Sequence, residues 1–119
     1  MTKNKIYIDT SVISAYFDYQ KPIRQLITEK WFRSNLKDYD PYISALVIEE
    51  IGGTPDEIKR NAMLSLVKDY QLTVLPITEA ITVLAEHYRK HVIPKEINDS
   101  LHIAVATLND ISAIVSWIL

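Results

Sequence analysis

The sequence lacks several features that would assign it to particular classes of protein. None of its 119 residues is cysteine, which excludes disulfide bonds and thiolate metal sites. No apolar run approaches the roughly 18 residues that a membrane span needs, and the amino-terminal Met-Thr-Lys-Asn-Lys has no signal-peptide pattern. We therefore expect one cytoplasmic domain over residues 1–119, with no membrane contact.

A strong charge of one sign is also lacking. The formal net charge of −2 provides no global attraction to nucleic acid, so an RNA-binding role needs a local basic patch. The candidates are Arg89, Lys90, His91 and Lys95, joined by Lys3 and Lys5 if the fold brings them near. The alternative is that these cations form a solvated helix end, where they stabilise the carboxyl terminus of the helix dipole.

Short extended runs alternate with helical stretches along the chain. The predicted strands are Ile6-Tyr7-Ile8, Tyr42-Ile43 after a chain break at Asp40-Pro41, Leu72–Leu75 before Pro76, and Ala113–Trp117. The segments between them are too long for hairpins, which favours a parallel sheet with right-handed helical crossovers. The predicted fold class is α/β.

Helical spacing and capping signals predict the intervening helices. One begins at Pro22, with Ile23, Leu26, Ile27 and Trp31 recurring at helical spacing, and another covers residues 45–51 before Gly52-Gly53. In Thr54-Pro55-Asp56-Glu57, Thr54 is the predicted N-cap of a helix. Its predicted buried stripe is Ile58, Ala62, Met63, Leu66, Val67 and Tyr70. The last two helices carry Ile81, Leu84, Ala85 and Tyr88, and then residues 101–106 beyond Pro94.

The run from Lys5 to Ile13 contains the clearest chemical signal. An apolar strand delivers Asp9 at its carboxyl end, followed by the small hydroxyl residues Thr10 and Ser11. In open α/β sheets that end is where ligands collect, because the strand fixes the residue while the next loop stays exposed. The alternative is that these residues only cap the following helix.

Two further acidic positions lie in apolar surroundings, Glu49-Glu50 and Asp99. Taken singly, Asp99 can be a helix amino-terminal charge and the glutamates a solvated pair. Clustered carboxylates repel one another, however, and are stable mainly when a cation neutralises them. Mg²⁺ or Mn²⁺ is the natural candidate, because both take carboxylate oxygens and water and can activate water against a phosphodiester.

Taken together, these motifs resemble the PIN domain, of the kind found as the toxin ribonuclease in VapBC-type toxin–antitoxin pairs. The residues that carry the resemblance are Ile6–Ile13, Ile43–Ile51, Asn98–Ala106 and Ile114–Trp117. The resemblance implies a three-layer fold with a central parallel sheet and flanking helices. It also implies metal-dependent endonucleolytic cleavage of RNA, with a small antitoxin covering the site.

Carried over by position, the metal-binding and catalytic acids of the family fall on Asp9, Glu50 and Asp99. Thr10 or Ser11 matches the small hydroxyl that supports the metal. Glu49 should face away, because successive helical residues point about 100° apart.

The sequence departs from the family pattern at its carboxyl end. PIN domains of this type continue into an Asp or Asn and another strand, whereas Ile118-Leu119 follows Trp117 here. We therefore expect the last edge strand to be missing, which leaves an open edge that can pair with a second copy as a homodimer. The competing hypothesis is a truncated PIN module, catalytically weak or inactive, that acts in protein–protein interaction.

Three histidines and one other enzyme class complete the alternatives. His87 and His91 have zinc-like spacing, but Tyr88 stands where a zinc protease needs glutamate, which favours a structural or solvent-facing role. His102 lies one helical turn after Asp99, either supporting the metal site or hydrogen-bonded on a packing helix. Phosphoryl-transfer enzymes of the haloacid-dehalogenase type carry a second aspartate where this chain has Ser11, so that class is disfavoured.

Overall fold

The computed structural model describes residues 2–92 and 96–119. Its strands are β1 (Asn4–Ile8), β2 (Tyr39–Ser44), β3 (Thr73–Leu75) and β4 (Ala113–Val115). Its helices are α1 (Thr10–Ala15), α2 (Pro22–Ser34), α3 (Ala45–Gly52), α4 (Glu57–Asp69), α5 (Glu79–His87) and α6 (Ile97–Leu108). A 3-10 turn covers Leu36–Asp38, and a π-helical turn covers Tyr88–Val92. Pro94 and Lys95 lie outside the described residues.

The four strands form one parallel sheet in the order β3-β2-β1-β4. This arrangement, with helices flanking the sheet, confirms the predicted α/β class. The central strand β1 pairs with β2 and β4, and its residues Ile6, Tyr7 and Ile8 are buried. Because all strands run the same way, the carboxyl ends of β2, β1 and β4 lie side by side at one edge of the sheet.

The second strand is longer than predicted, because Pro41 does not break it. β2 starts at Tyr39 and continues through Asp40 and Pro41. Pro41 is in register with Ile6 of β1, whereas β3 pairs with β2 only from Tyr42 onward. One side of β2 is therefore unpaired at Pro41, where the missing backbone N–H costs no ladder hydrogen bond.

Helix α2 begins at Pro22 as predicted, but it buries a face that the apolar spacing did not indicate. Its buried residues are Gln25, Thr28 and Phe32. The exposed fractions are 78% for Ile23, 50% for Leu26 and 52% for Ile27, and we call these three residues the outer stripe of α2. At 100° per residue, each lies more than about 120° from the centre of the buried face.

Polar partners explain how this face is accommodated inside the protein. The Gln25 amide donates to the Tyr16 carbonyl at 2.9 Å, and Trp117 Nε1 donates to Thr28 Oγ1 at 3.0 Å. Buried polar groups are tolerated when they are hydrogen-bonded in this way. Phe32 supplies the apolar contact and packs edge-on against Tyr16, with ring centroids 5.5 Å apart.

Helix α4 corrects two predictions. Its N-cap is Asp56 rather than Thr54, because the Asp56 carboxylate accepts the backbone N–H groups of Ile58 and Lys59 at 3.0 and 3.2 Å. Ile58 is 83% exposed, so its place in the buried stripe is wrong. It lies about 130° around the helix from the centre of the buried face. The members of that stripe that are buried are Met63, Leu66 and Val67.

The main core packs the helices against the sheet. Its largest fully buried apolar side chains are Tyr7, Phe32, Ile8, Ile13, Ile43, Ile51, Met63, Val47 and Val105. In the described residues, no helix has the combination of length and apolar character that a membrane span requires.

Candidate metal centre at the carboxyl edge of the sheet

Asp9 follows β1 directly and is almost completely buried, with 2% of its surface exposed. Its backbone N–H donates to the Val115 carbonyl at 3.0 Å, which extends the β1–β4 ladder by one residue. The Asp9 carboxylate makes no capping bond to α1. Its Oδ2 atom instead accepts the hydroxyls of Ser11 at 2.7 Å and Ser116 at 3.0 Å. The side chain therefore faces the edge of the sheet instead of the helix backbone.

Glu50 reaches the same place from α3 and is partly buried. Its Oε1 atom accepts the Thr10 hydroxyl at 2.6 Å, and its Oε2 atom accepts the Asn98 amide at 3.3 Å. Burial alone would raise the pKa of Glu50. Hydrogen bonds from His102, Thr10 and Asn98, together with the charge of His102, outweigh burial and lower that pKa below its usual value. Glu50 is thereby held as a carboxylate, and its neighbour Glu49 is exposed, as expected.

His102 stands between the two carboxylates on α6, with 1% of its surface exposed. Its Nε2 atom is 2.8 Å from Glu50 Oε1 and 3.4 Å from Asp9 Oδ1. Its Nδ1 atom is 2.6 Å from the Tyr7 hydroxyl, which is 2.8 Å from Ser44 Oγ. A chain of polar contacts thus runs from the end of β2 through the middle of β1 to the candidate centre.

Tyr7 is completely buried in the central strand. Burial raises the pKa of Tyr7 far above its usual value, partly offset by the Ser44 hydrogen bond and reinforced by the negative charges of Asp9 and Glu50. The phenol therefore stays protonated and can donate one hydrogen bond while accepting another.

Asp9, Glu50 and His102 each offer one ligand atom within 4.8 Å of the others, and in the described residues they are the one such group of three. Two of the three predicted acids therefore come together. Asp99 lies in the first turn of α6, half-buried and one turn before His102, outside this group. Its role as a ligand stays a prediction.

The supporting residues are more numerous than predicted. Thr10 and Ser11 were alternatives for one supporting hydroxyl, yet each binds a different carboxylate, Glu50 and Asp9 respectively. The sequence reasoning missed Tyr7, Ser44, Asn98 and Ser116. A signal was available for Tyr7 and Ser116, because a tyrosine between buried isoleucines needs a hydrogen-bond partner for its hydroxyl, and a serine directly after a strand places a hydroxyl at the edge of the sheet.

Of the predicted basic patch, the described residues Arg89, Lys90 and His91 make no hydrogen bond or ion pair with Asp9, Glu50 or His102. Arg89, Lys90 and His91 are exposed on the π-helical turn, and Arg89 pairs with Glu86 at 3.0 Å. Lys3 and Lys5 lie at the start of β1, toward the opposite edge of the sheet. The exposed rings of His87 and His91 have centroids 5.0 Å apart. Within the described chain, no third potential ligand joins this pair.

A parallel sheet with buried acid and imidazole side chains gathered at its carboxyl edge defines an α/β protein with a candidate metal centre. The chain belongs to the PIN domain family, whose model matches residues 6–116. This match confirms the resemblance seen in the sequence. No curated protein sequence matches the chain significantly.

The solved structures similar to this chain include the following two. The first is VapC20 of Mycobacterium tuberculosis, described as a sarcin-ricin loop cleaving toxin, with 16% identity and a TM-score of 0.71. The match covers 94% of this chain and 88% of that one. The second is VapBC2 of Rickettsia felis bound to a DNA fragment from its promoter, with 12% identity, a TM-score of 0.63 and coverages of 93% and 86%. At such identities the likeness concerns the fold.

Proposed function

We propose that this chain is a metal-dependent endoribonuclease that hydrolyses phosphodiester bonds of RNA as the toxin of a toxin–antitoxin pair. The observation that carries the proposal is the buried Asp9 carboxylate facing Glu50 and His102 at the carboxyl edge of the sheet. PIN family membership supports the nuclease class. Likeness to a VapC toxin and to a VapBC complex supports the toxin role and a small antitoxin as partner.

The donor set suits a divalent cation. Asp9 and Glu50 offer the carboxylate oxygens that Mg²⁺ and Mn²⁺ prefer, and Asp99 is our third proposed acid on the neighbouring helix. Two such groups at close range need a compensating positive charge. When bound, the cation would supply Lewis-acid chemistry that offsets charge on the phosphate and acidifies water.

The residues around the two carboxylates keep them in place. Ser11 and Ser116 both bind Asp9 Oδ2, which orients the other oxygen, Oδ1, toward the imidazole. Thr10 and Asn98 bind the two oxygens of Glu50 from separate elements. Because these donors come from α1, α6 and the segment after β4, the carboxylates are positioned before any substrate arrives, as preorganised catalysis requires.

A second candidate function is a non-catalytic PIN module that acts through protein–protein contacts or as a homodimer. The outer stripe of α2 favours it, because three large aliphatic side chains there are half or more exposed. Contiguous exposed apolar residues mark interaction surfaces more often than scattered ones do.

RNA cleavage with and without divalent metal separates the two functions. We expect purified protein to cleave RNA in the presence of Mn²⁺ or Mg²⁺, and EDTA to abolish the cleavage. The variant Glu50→Gln should lose this activity, whereas Glu49→Gln should keep it. Glu49 is the matched control, since it is the adjacent residue on the same helix and points to solvent. Metal-independent cleavage, or equal loss in both variants, would contradict the proposed site. Folded protein with no cleavage under any metal would favour the interaction module.

A further inference from the structure

Among the histidines of the described chain, His102 alone is buried. His87 and His91 are exposed, whereas His102 is buried with Nε2 directed at both carboxylates of the candidate centre. An imidazole nitrogen at such a position can bind a cation only if it carries a lone pair. The proton must then sit on the other nitrogen, Nδ1, and needs an acceptor there.

Tyr7 provides that acceptor. Its hydroxyl lies 2.6 Å from Nδ1 and 2.8 Å from Ser44 Oγ, so it can accept the Nδ1 proton while donating its own to Ser44. Histidines that bind metals are held by a hydrogen bond at the second nitrogen in this manner, which fixes both tautomer and ring orientation. The phenol and the serine thus form a support behind the imidazole, inside the core.

The distances on the open side of the ring suit shared coordination. Nε2 is 2.8 Å from one oxygen of Glu50 and 3.4 Å from one of Asp9. Adjacent ligand atoms around an octahedral ion with bonds of about 2.1 Å lie about 3.0 Å apart. Without a cation, the imidazole proton can sit on Nε2 and bridge to Glu50. When a cation binds Nε2, the proton sits on Nδ1 instead and is donated to Tyr7.

We propose that His102 Nε2 is a nitrogen ligand of the metal centre, held by Tyr7 and Ser44, and that the centre therefore favours Mn²⁺, Co²⁺ or Zn²⁺ over Mg²⁺. The inference rests on the proposed function, since it concerns the same centre. Its physical basis is that imidazole suits transition metals and zinc, whereas Mg²⁺ takes oxygen ligands almost exclusively. His102 becomes a specificity-determining residue for the metal in addition to a packing residue.

The test uses the small number of histidines in this chain. The sequence has three, so untagged protein carrying His87→Gln and His91→Gln retains His102 as its one imidazole. Pulsed electron paramagnetic resonance of bound Mn²⁺ then reports directly whether a histidine nitrogen is coordinated. We expect the characteristic ¹⁴N modulation in this background and its loss on adding His102→Gln. In Tyr7→Phe, Mn²⁺ affinity by calorimetry should fall by about 10- to 100-fold, with a smaller change for Mg²⁺.

The outcomes separate this inference from the proposed function. Bound Mn²⁺ without nitrogen modulation in the two-variant background overturns nitrogen ligation and leaves an oxygen-only metal site intact. Failure to bind Mn²⁺ at all overturns both. If His102→Gln does not fold, the background spectrum still decides, because no other imidazole remains, and Tyr7→Phe preserves the buried ring. An unchanged Mn²⁺-to-Mg²⁺ affinity ratio in Tyr7→Phe would overturn the role of the support.

Discussion

The carboxyl edge of the sheet and the outer face of α2 invert the usual distribution of residues. At the edge, Asp9 and His102 are polar and buried, while on α2 the aliphatic residues Ile23 and Ile27 are exposed. Burial of these two groups is tolerated because serine and tyrosine hydroxyls and the Glu50 carboxylate are their hydrogen-bond partners. Apolar exposure on α2 has no such compensation within the described chain, and it carries little energetic cost in a folded monomer. The first region gathers potential metal-ligand atoms in the protein interior, and the second exposes apolar surface to solvent.

The largest difference between the two regions should appear in activity. We expect Asp9→Asn to reduce metal-dependent RNA cleavage by at least about 100-fold, the effect typical of losing one preorganised electrostatic group. Initial rates in saturating Mn²⁺ measure this change. His87→Ala and His91→Ala are the controls and should stay near the unaltered rate, because neither ring belongs to the group formed by Asp9, Glu50 and His102. Equal losses in the histidine variants would move the active centre to that helix.

Stability should separate the two faces of α2 next. Phe32 is 1% exposed, and Phe32→Ala should lower the free energy of unfolding by about 3–5 kcal/mol, the usual cost of removing a buried aromatic ring. Urea denaturation with a common m-value measures it. A loss below about 1 kcal/mol would mean that the inner face of α2 is not packed as described.

Acid titration should reveal a smaller contribution from the carboxyl edge. The pKa of Glu50 is lower in the folded protein than its ordinary 4.5, so Glu50 stabilises the fold above that value. This stabilisation is lost as the pH falls through the lowered pKa. In metal-free protein, Glu50→Gln should therefore flatten the fall in stability below about pH 4.5, as followed by urea midpoints. Glu49→Gln should keep the steeper profile, and identical profiles would contradict the hydrogen-bonded carboxylate.

The outer stripe of α2 should give the smallest effect. Ile23→Ser, Leu26→Ser and Ile27→Ser should each change the stability of the monomer by less than about 0.5 kcal/mol, as surface substitutions usually do. Thermal denaturation at low protein concentration measures this. A loss of several kcal/mol from any of them would show that the stripe is already covered, for example in a homodimer, and sedimentation of the unaltered protein would then show the larger species.

The order of strands and helices could be predicted because each depends on neighbours in sequence. Strand β1 and the Asp9 that follows it share one short run, and helix α3 ends at its two glycines. The inward face of α2 could not be predicted in the same way. It depends on Tyr16 and Trp117, which meet Gln25 and Thr28 only after folding. Such tertiary partners outweigh the spacing of apolar residues.

The candidate centre also contains residues that could be predicted from the sequence and one whose position could not. Asp9 and Glu50 could be recognised from motifs, because each stands at a junction of elements that the family resemblance covers. The position of His102 between them could not be derived, because it requires the packing of α6 against α3 and of Tyr7 beneath both. Helical spacing relates His102 to Asp99 on the same helix, but it carries no information about Glu50, which lies 52 positions earlier in the sequence.

The position of β1 in the middle of the sheet also has a consequence for biosynthesis. Of the four strands, β1 is synthesised earliest and its neighbour β4 is synthesised last. Ser116, which follows β4, contacts Asp9 across 107 positions of the chain. Contacts of such separation form late, because closing the intervening loop costs entropy before any contact compensates for it. A nascent chain that has not reached His102 therefore has neither this imidazole nor Ser116 beside Asp9. We expect the candidate centre to form only after Ser116 has left the ribosome, so that shorter nascent chains lack the complete centre.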